Sequence, residues 1–396
     1  MTYRERMLCA IGGDDCDVLP CVPRLDLWYK ANKLNRTLPK RFSNSMLSEI
    51  IESLDIGYHA VIPDYRDASF PESEATRSLG LYQCNSICYR VDFDVGISVE
   101  IDGDDVVTKY ITPKGDITTR VRYNEGMRRG GVTASILTEY PIKSREDFEA
   151  VGYIFEHTDV IPCYKNFNRK REEVGERGVV AAFCTTGVSG MHFILQELMP
   201  MDKFFLETYD HPQELSDLSA QIETLLDRIF EVVAEGPAQV VLLGVSFDSM
   251  ITYPPFFEKY IMPSMKEKSK RLHRANKYLL CHTDGENKGL LDLYVKSGID
   301  VADSLCPAPM TKTTLKDARE AFGDSVTIWG GVPSVAFLED SMSEADFDRY
   351  LDMTMESVGN GRRMIVSIAD STPPGAKFER IEKLIKKTRE FGPVRG

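Results

Sequence analysis

The chain has 396 residues, enough for one large domain or two ordinary ones, and 42% of them are hydrophobic, which suffices for a sizeable core. Its 48 basic and 61 acidic residues leave a net charge of −13, which argues against nucleic acid and anionic membranes as partners. No stretch approaches the roughly 18 uninterrupted apolar residues of a transmembrane helix. Nine scattered cysteines without a Cys-x-x-Cys pair favour reduced thiols in the cytoplasm over a disulfide scaffold.

Residues 1–57 are predicted to form a lead-in to the main fold. The first forty residues are rich in proline and mixed in character, so we expect an extended segment that covers the bottom or side of a larger body. An amphipathic pattern from Ser43 to Leu54 predicts a short helix, with Asn44 or Ser45 as its N-cap. The apolar run His59–Pro63 is the first candidate strand.

A different pattern fills residues 97–123. Strand-forming residues run from Val106 to Ile111, glycines stand at the turn positions 103 and 115, and apolar or β-branched residues then recur at every second position. Such alternation with glycine-containing turns predicts an antiparallel β-meander. Because the meander interrupts an α/β rhythm, we interpret it as an insertion that roofs a pocket.

From about residue 178, short apolar runs alternate with amphipathic helical patterns, which is typical of parallel β/α units. The predicted strands are 179–183, 240–244, 277–282, 298–302, 325–329 and 363–369. The predicted helices are 212–233, 286–296, 312–321, 343–357 and 376–391. With the run at 59–63 and a weaker candidate at 151–156 there are about eight strands, so we predict a single (β/α)8 TIM barrel domain over residues 1–396. A doubly wound open sheet is the alternative.

Polar side chains stand at or just after the predicted strands, where a barrel enzyme carries its active site. They belong to Asp248, His282, Asp284, Glu286, Asp303, Cys306 and Asp370, and a glycine pair, Gly330-Gly331, follows the strand 325–329. His282 is the most informative of them, because it ends the apolar run Tyr278–His282 and is one of only six histidines. Asp284 lies two residues later, so on an extended backbone both side chains face the same way. An imidazole, a thiol and carboxylates together predict a zinc site with an open position.

Each of these residues also has a structural interpretation. A histidine at a strand end is often only hydrogen-bonded, and a cysteine such as Cys306 is often a small buried hydrophobe. Asp248, Asp303 and Asp370 are able to cap helices or turns. No Walker A loop, Gly-x-Gly-x-x-Gly fingerprint or Gly-x-Ser-x-Gly elbow points to another chemistry. Their joint occurrence at successive strand ends is what favours a site.

The order of several short motifs resembles the uroporphyrinogen decarboxylase superfamily. The motifs are Cys281–Gly285, Ile299–Pro307, Ile328–Val332 and Asp370–Gly375. The lead-in Val22–Trp28 and the turn Thr112–Gly115 are similar to the corrinoid-dependent methyltransferase branch. The arginine-rich N-terminal signature of true decarboxylases is reduced here to Pro23-Arg24-Leu25. The resemblance implies a (β/α)8 barrel.

In the methylcobamide:coenzyme M members of this branch, zinc is held by a His-x-Cys pair and a later cysteine. Carried over by position, the histidine is His282, the first cysteine becomes Asp284 and the later cysteine falls at or near Asp370. Carboxylates in place of two thiolates suit an oxygen substrate better than a thiol. This substitution points to the O-demethylase type, which takes a methyl group from an ether oxygen.

The resemblance thus implies a zinc-dependent methyltransferase with one Zn²⁺ per chain. Its methyl donor is a methylated small molecule, with an aromatic methyl ether as the candidate, and its acceptor is the Co(I) of a corrinoid carried by a separate partner protein. Zinc bound to the ether oxygen acts as a Lewis acid on a poor leaving group.

The expected site residues follow from this interpretation. His282 is the expected first ligand, and the remaining positions are contested by Asp284, Cys306 and Asp370. Two carboxylates are expected to orient His282 or donate a proton, namely Asp248 and Glu286. Three aromatic residues are expected to face a planar substrate, namely Tyr123, Phe247 and Trp329.

Three other functions stay open. A tetrapyrrole-type decarboxylase needs no metal but needs pocket arginines, for which the chain offers Arg24, Arg120, Arg122, Arg128 and Arg129. A methylcorrinoid:thiol methyltransferase is favoured if Cys306 is a ligand. The third alternative is a non-catalytic barrel without its metal. The sequence also leaves open the direction of methyl transfer and the oligomeric state, a homodimer included.

Overall fold

The computed structural model describes residues 1–66 and 71–395, and in this part of the chain twelve strands are present. Numbered β1 to β12 in chain order, they span Tyr89–Phe93, Gly96–Asp102, Asp105–Thr112, Gly115–Arg122, Ile136–Glu139, Thr158–Pro162, Ala181–Phe183, Val240–Leu242, Tyr278–His282, Val301–Leu305, Thr327–Pro333 and Met364–Ala369.

The α-helices of the same ranges, numbered α1 to α16, span Tyr3–Gly12, Asp26–Asn35, Leu47–Leu54, Pro71–Arg77, Glu125–Arg129, Phe148–Glu156, Lys165–Val174, Gly190–Phe193, Met201–Asp210, Pro212–Glu235, Pro254–Phe256, Met262–Arg274, Leu291–Ser297, Leu315–Phe322, Glu344–Val358 and Phe378–Phe391. Their ends follow capping chemistry: the Thr314 hydroxyl accepts from the amide of Asp317 at the start of α14, and Ser343 does the same for Asp346 in α15. None of the helices within residues 1–66 and 71–395 combines the length and low polarity needed to cross a membrane.

Six parallel strands form the central sheet, in the order β12-β11-β10-β9-β8-β7. Every residue of β7, β8, β10, β11 and β12 is buried. Continuous burial is expected of parallel strands, because the connecting helices cover them. The six strands predicted from residue 178 onward all exist, with their ends displaced by up to four residues.

Segment 20–22 continues the sheet beyond β12. The amide of Val22 donates to the carbonyl of Val366 at 2.9 Å, and the amide of Val366 donates to the carbonyl of Pro20 at 2.9 Å. Cys21 forms a parallel bridge with Val366. This part of the lead-in therefore occupies a strand position in the sheet and does not lie outside it.

Segment 57–60 closes the ring between segment 20–22 and β7. The amide of Gly57 donates to the carbonyl of Cys21 at 3.0 Å, and the amide of Ala181 donates to the carbonyl of Ala60 at 3.3 Å. Together with the six strands, the two segments make eight parallel members. The predicted (β/α)8 barrel is confirmed, with its N-terminal extension serving partly as barrel wall.

The predicted strand at 151–156 is wrong. These residues lie in helix α6, where Val151, Ile154 and Phe155 are buried. A short apolar run fits a buried strand and a buried helix equally well, so its pattern alone does not separate them. The eighth barrel position belongs to segment 20–22.

The predicted meander at 97–123 is present as β2, β3 and β4, and a fourth antiparallel strand, β5, extends it. The inner face buries Tyr110, Ile117 and Val121 against the body of the protein. The hydroxyl of Tyr110 anchors this face through a 2.8 Å hydrogen bond with Ser78. A separate antiparallel ribbon pairs β1 with β6.

Candidate metal centre

His282 is the last residue of β9, at the carboxyl rim of the barrel, and its side chain is only 9% exposed. Its neighbour in the register of the adjacent strand β10 is Asp303. The Nδ1 of His282 lies 2.7 Å from Oδ2 of Asp303, and Nδ1 is the donor because an ionised carboxylate only accepts. This bond fixes the ring and leaves Nε2 as the free ligand atom, an arrangement common in metal-binding histidines.

Asp303 is completely buried and is held on several sides. The hydroxyl of Ser304 donates to its Oδ2 at 3.0 Å. Nε2 of His59 lies 3.5 Å from Oδ1, a contact that is electrostatic rather than a good hydrogen bond. Burial opposes ionisation, but the hydrogen bond with His282 and the electrostatic contacts with His282 and His59 outweigh it and hold the pKa of Asp303 well below its usual value. Asp303 is therefore a charged anchor for His282.

Three side chains at the rim bring ligand atoms together. His282, Asp284 and Asp370 each offer one atom, and these atoms lie within 4.8 Å of one another. Nε2 of His282 is 3.2 Å from Oδ1 of Asp370 and 3.8 Å from Oδ2 of Asp284. The second carboxylate oxygen of Asp284 is buried without a hydrogen-bond partner among the described residues. An unpaired buried oxygen in a nitrogen and oxygen donor set fits a divalent cation such as zinc.

The two candidate carboxylate ligands differ in their surroundings. Buried Arg24 lies 3.4 Å from Oδ1 of Asp370 and 3.1 Å from Oδ1 of Asp26. Burial opposes ionisation of Asp370, but His282 and Arg24 outweigh it and lower its pKa. Burial raises the pKa of Asp284, although His282 partly offsets this effect. Asp370 is thus a candidate ligand that is already ionised, whereas a bound cation would lower the raised pKa of Asp284.

His282 itself is shifted toward the protonated form. Burial lowers the pKa of its imidazole, but the charge of Asp284 and the contacts with Asp303 and Asp370 outweigh burial and raise the pKa well above its usual value. Without a cation, the imidazolium balances part of the surrounding negative charge. A metal ion would have to displace this proton.

Cys306 lies outside the set of three. Its thiol is buried and rests 3.5 Å from Sδ of Met310. Burial raises the pKa of the thiol to about 12, and the carboxylates of Asp284 and Asp370 add to this effect. Only a thiolate binds zinc well. Ligation by Cys306 stays a prediction that its contacts do not support.

Asp248 and Glu286 brace the rim loops. Asp248 accepts from the amides of Met250 at 2.7 Å and Glu286 at 3.0 Å. Glu286 accepts from the amide of Lys288 and the hydroxyl of Thr313, both at 2.9 Å. The predicted orientation of His282 by these carboxylates is wrong, because its Nδ1 pairs with Asp303. Their predicted role as proton donors remains untested.

The three predicted aromatic residues lie in different places. Phe247 is fully buried in the core and stacks on His192, with ring centroids 5.1 Å apart, so its contacts do not support the predicted contact with substrate. Trp329 is also buried; its Nε1 donates to the carbonyl of Val22 at 3.2 Å, and its ring packs edge-on against His59. Tyr123 is partly exposed below the guanidinium of Arg66, 4.1 Å from the ring centroid. The structure leaves substrate contact by Tyr123 and Trp329 a prediction.

Comparison with known proteins places the chain in a family. The model of the uroporphyrinogen decarboxylase family, URO-D, matches residues 127–391, which is more than half of the chain. The chain belongs to this family. His282, Asp284, Asp303 and Asp370 all lie inside the matched region, whereas strands β2 to β4 precede it.

One similar solved structure is a methyltransferase from Methanosarcina mazei. The match covers 99% of this chain and 99% of that chain, with a TM-score of 0.52 and 13% sequence identity. At this identity the likeness concerns the fold. No curated protein sequence matches this URO-D family member.

We expect the three-residue set to decide zinc binding. In H282A, D284N and D370N, zinc affinity should fall more than about 100-fold, because each variant removes a direct donor. In C306S the zinc affinity should stay close to the affinity of the wild type. Competition with a chromophoric chelator measures affinity, and elemental analysis gives the stoichiometry. Loss of zinc from C306S together with full retention in D284N would contradict the assignment.

We expect D303N to weaken zinc binding about 10- to 100-fold although Asp303 is not among the expected ligands. The neutral amide of the new asparagine replaces the charged carboxylate that accepts the hydrogen bond from the imidazole of His282. The matched control is D300N. Asp300 lies directly before β10 and contacts His273, at a distance of 2.9 Å, and not His282. Equal losses of affinity in the two variants, measured by the same competition, would show that Asp303 acts only through fold stability.

Zinc affinity should rise with pH. The metal-free imidazole of His282 is protonated at neutral pH because its pKa is raised, and zinc binds only the neutral form. Each pH unit below that pKa therefore costs about tenfold in apparent affinity, and the dependence levels off above it. Chelator competition at pH 6, 7 and 8 measures the slope. A flat profile over this range would rule out displacement of a proton.

Proposed function

We propose that the protein is a zinc-dependent methyltransferase that moves a methyl group from a methylated small molecule, with an aromatic methyl ether as the candidate, to the Co(I) of a separate corrinoid protein. The observation that carries the proposal is the set of donor atoms from His282, Asp284 and Asp370 within 4.8 Å at the barrel rim. Membership of the URO-D family and the fold shared with a methyltransferase support it.

The chemistry of the donor set favours an oxygen leaving group. One imidazole and two carboxylates make a hard site, and burial keeps the thiol of Cys306, the cysteine predicted as a ligand, protonated. Bound zinc supplies a Lewis acid that polarises the ether oxygen, and the corrinoid supplies the nucleophile. His282, Asp284 and Asp370 would hold the zinc, and the ether oxygen would keep the bonding electron pair when the methyl group passed to the corrinoid.

The residues of this chain prepare the site. Asp303 holds His282 in one tautomer and ring position, so Nε2 is presented without reorganisation. Arg24 bridges Asp26 and Asp370 and keeps the latter carboxylate ionised at the rim. Both anchors come from barrel strands or their ends, which gives rigid positioning of the donor atoms.

The decarboxylase alternative needs free arginines in the pocket, and the structure commits them elsewhere. Arg120 and Arg122 bind Asp105 on the meander, and Arg129 pairs with Glu125 along α5. Arg128 lies over the ring of Tyr123. Of the five arginines considered, Arg24 alone contacts the donor set, through Asp370.

The direct test is an anaerobic assay with zinc-loaded protein, free cob(I)alamin and a series of methoxylated aromatic compounds. We expect loss of the Co(I) absorbance together with release of the corresponding phenol, and at least a 100-fold lower rate in H282A. C306S serves as the matched control and should retain activity. Full activity of zinc-free protein, or decarboxylation of a porphyrinogen with no reaction of any methyl ether, would refute the proposal.

A further inference from the structure

Strand β2 is an open edge of the meander. Within residues 1–66 and 71–395 it pairs with β3 on one side only, and all seven of its residues are exposed. Ile97, Val99 and Ile101 share one face and are 39%, 36% and 63% exposed. An exposed, apolar edge strand with unpaired backbone groups is a template for pairing with another strand, and proteins normally blunt such edges.

The opposite edge of the same sheet is blunted. Strand β5 has only four residues, and its pairing with β4 is interrupted by a bulge between Arg120 and Val121. Short length and bulges are two standard protections against edge pairing. The contrast between the edges indicates that β2 is left open for a partner.

We propose that the partner is a second copy of this chain, whose β2 pairs antiparallel with this β2 about a two-fold axis at Val99. The two four-stranded meanders then form one continuous eight-stranded sheet. Closed two-fold dimers are the commonest assemblies of identical chains, and they require a surface that complements itself.

The sequence of β2 complements itself in this register. Val99 faces the partner's Val99, and Ile97 faces the partner's Ile101, so β-branched residues meet on one face. On the other face Ser98 lies opposite the partner's Glu100, and Gly96 lies opposite the partner's Asp102. Each carboxylate therefore meets a small uncharged residue, and no like charges stand directly opposite.

Neighbouring registers are worse. An axis at Glu100 places two Glu100 carboxylates face to face, which is destabilising. An axis at Ser98 leaves Ile101 beyond the start of the partner's β2 at Gly96. The charged face, with Glu100, and the apolar face, with Ile101, thus both favour the register whose axis is at Val99.

The experiment compares S98K with S98E by sedimentation velocity over about 1 to 100 µM full-length protein. In the proposed register residue 98 faces the partner's Glu100 twice per dimer, so S98K should tighten the dimer about fivefold and S98E should loosen it about fivefold. Both substitutions are at one exposed position, and thermal melting checks that each variant folds. The matched control pair is T118K and T118E on β4, which should leave the dimer unchanged.

A second variant reports the axis itself. V99C should form a dimer that is disulfide-linked under mild oxidation and released by reductant, because opposing residues of antiparallel strands lie about 4.5–5.5 Å apart, within disulfide reach. Wild type treated in the same way controls for the native cysteines. A wild-type monomer at all concentrations overturns the proposal, as does a dimer that responds equally to S98K and S98E, which would indicate another interface or another partner for β2.

Discussion

The hydrogen bond between His282 and Asp303 is the interaction on which the candidate metal centre depends. It joins two adjacent barrel strands at 2.7 Å and fixes which nitrogen faces the rim. Burying the charge of Asp303 is costly unless it is paired, and His282 and His59 supply the pairing. The buried carboxylate of Asp303 thus holds the imidazole of His282 in a single orientation.

The barrel explains how residues far apart in the chain meet. His282 ends β9 and Asp284 follows it, and Asp370 follows β12. Arg24 comes just after segment 20–22, and His59 lies in segment 57–60; these are the two N-terminal segments that close the ring. Since parallel strands end at one rim, side chains at their carboxyl ends converge there. The excess of carboxylates at this rim, with one oxygen of Asp284 left unpaired among the described residues, is an electrostatic arrangement that a divalent cation would complete.

Sequence patterns predicted the parts of this arrangement that depend on local periodicity. The long helices and strands β7 to β12 were found because apolar runs and helical spacing mark them. The sequence pattern does not place segment 20–22 in the barrel wall, because its role there consists of backbone hydrogen bonds, which leave little mark on the side-chain pattern. The pairing of His282 with Asp303, and not with Asp248 or Glu286, depends on strand register, and the burial of Phe247 depends on packing between distant elements.

X-ray absorption spectroscopy of the zinc-loaded protein tests the metal centre most directly. A first shell of nitrogen and oxygen atoms only, at about 2.0–2.2 Å and including one imidazole, is the expected result. A sulfur atom at about 2.3 Å would bring a cysteine into the site, and protein that takes up no zinc would remove the site altogether; either result would contradict the account.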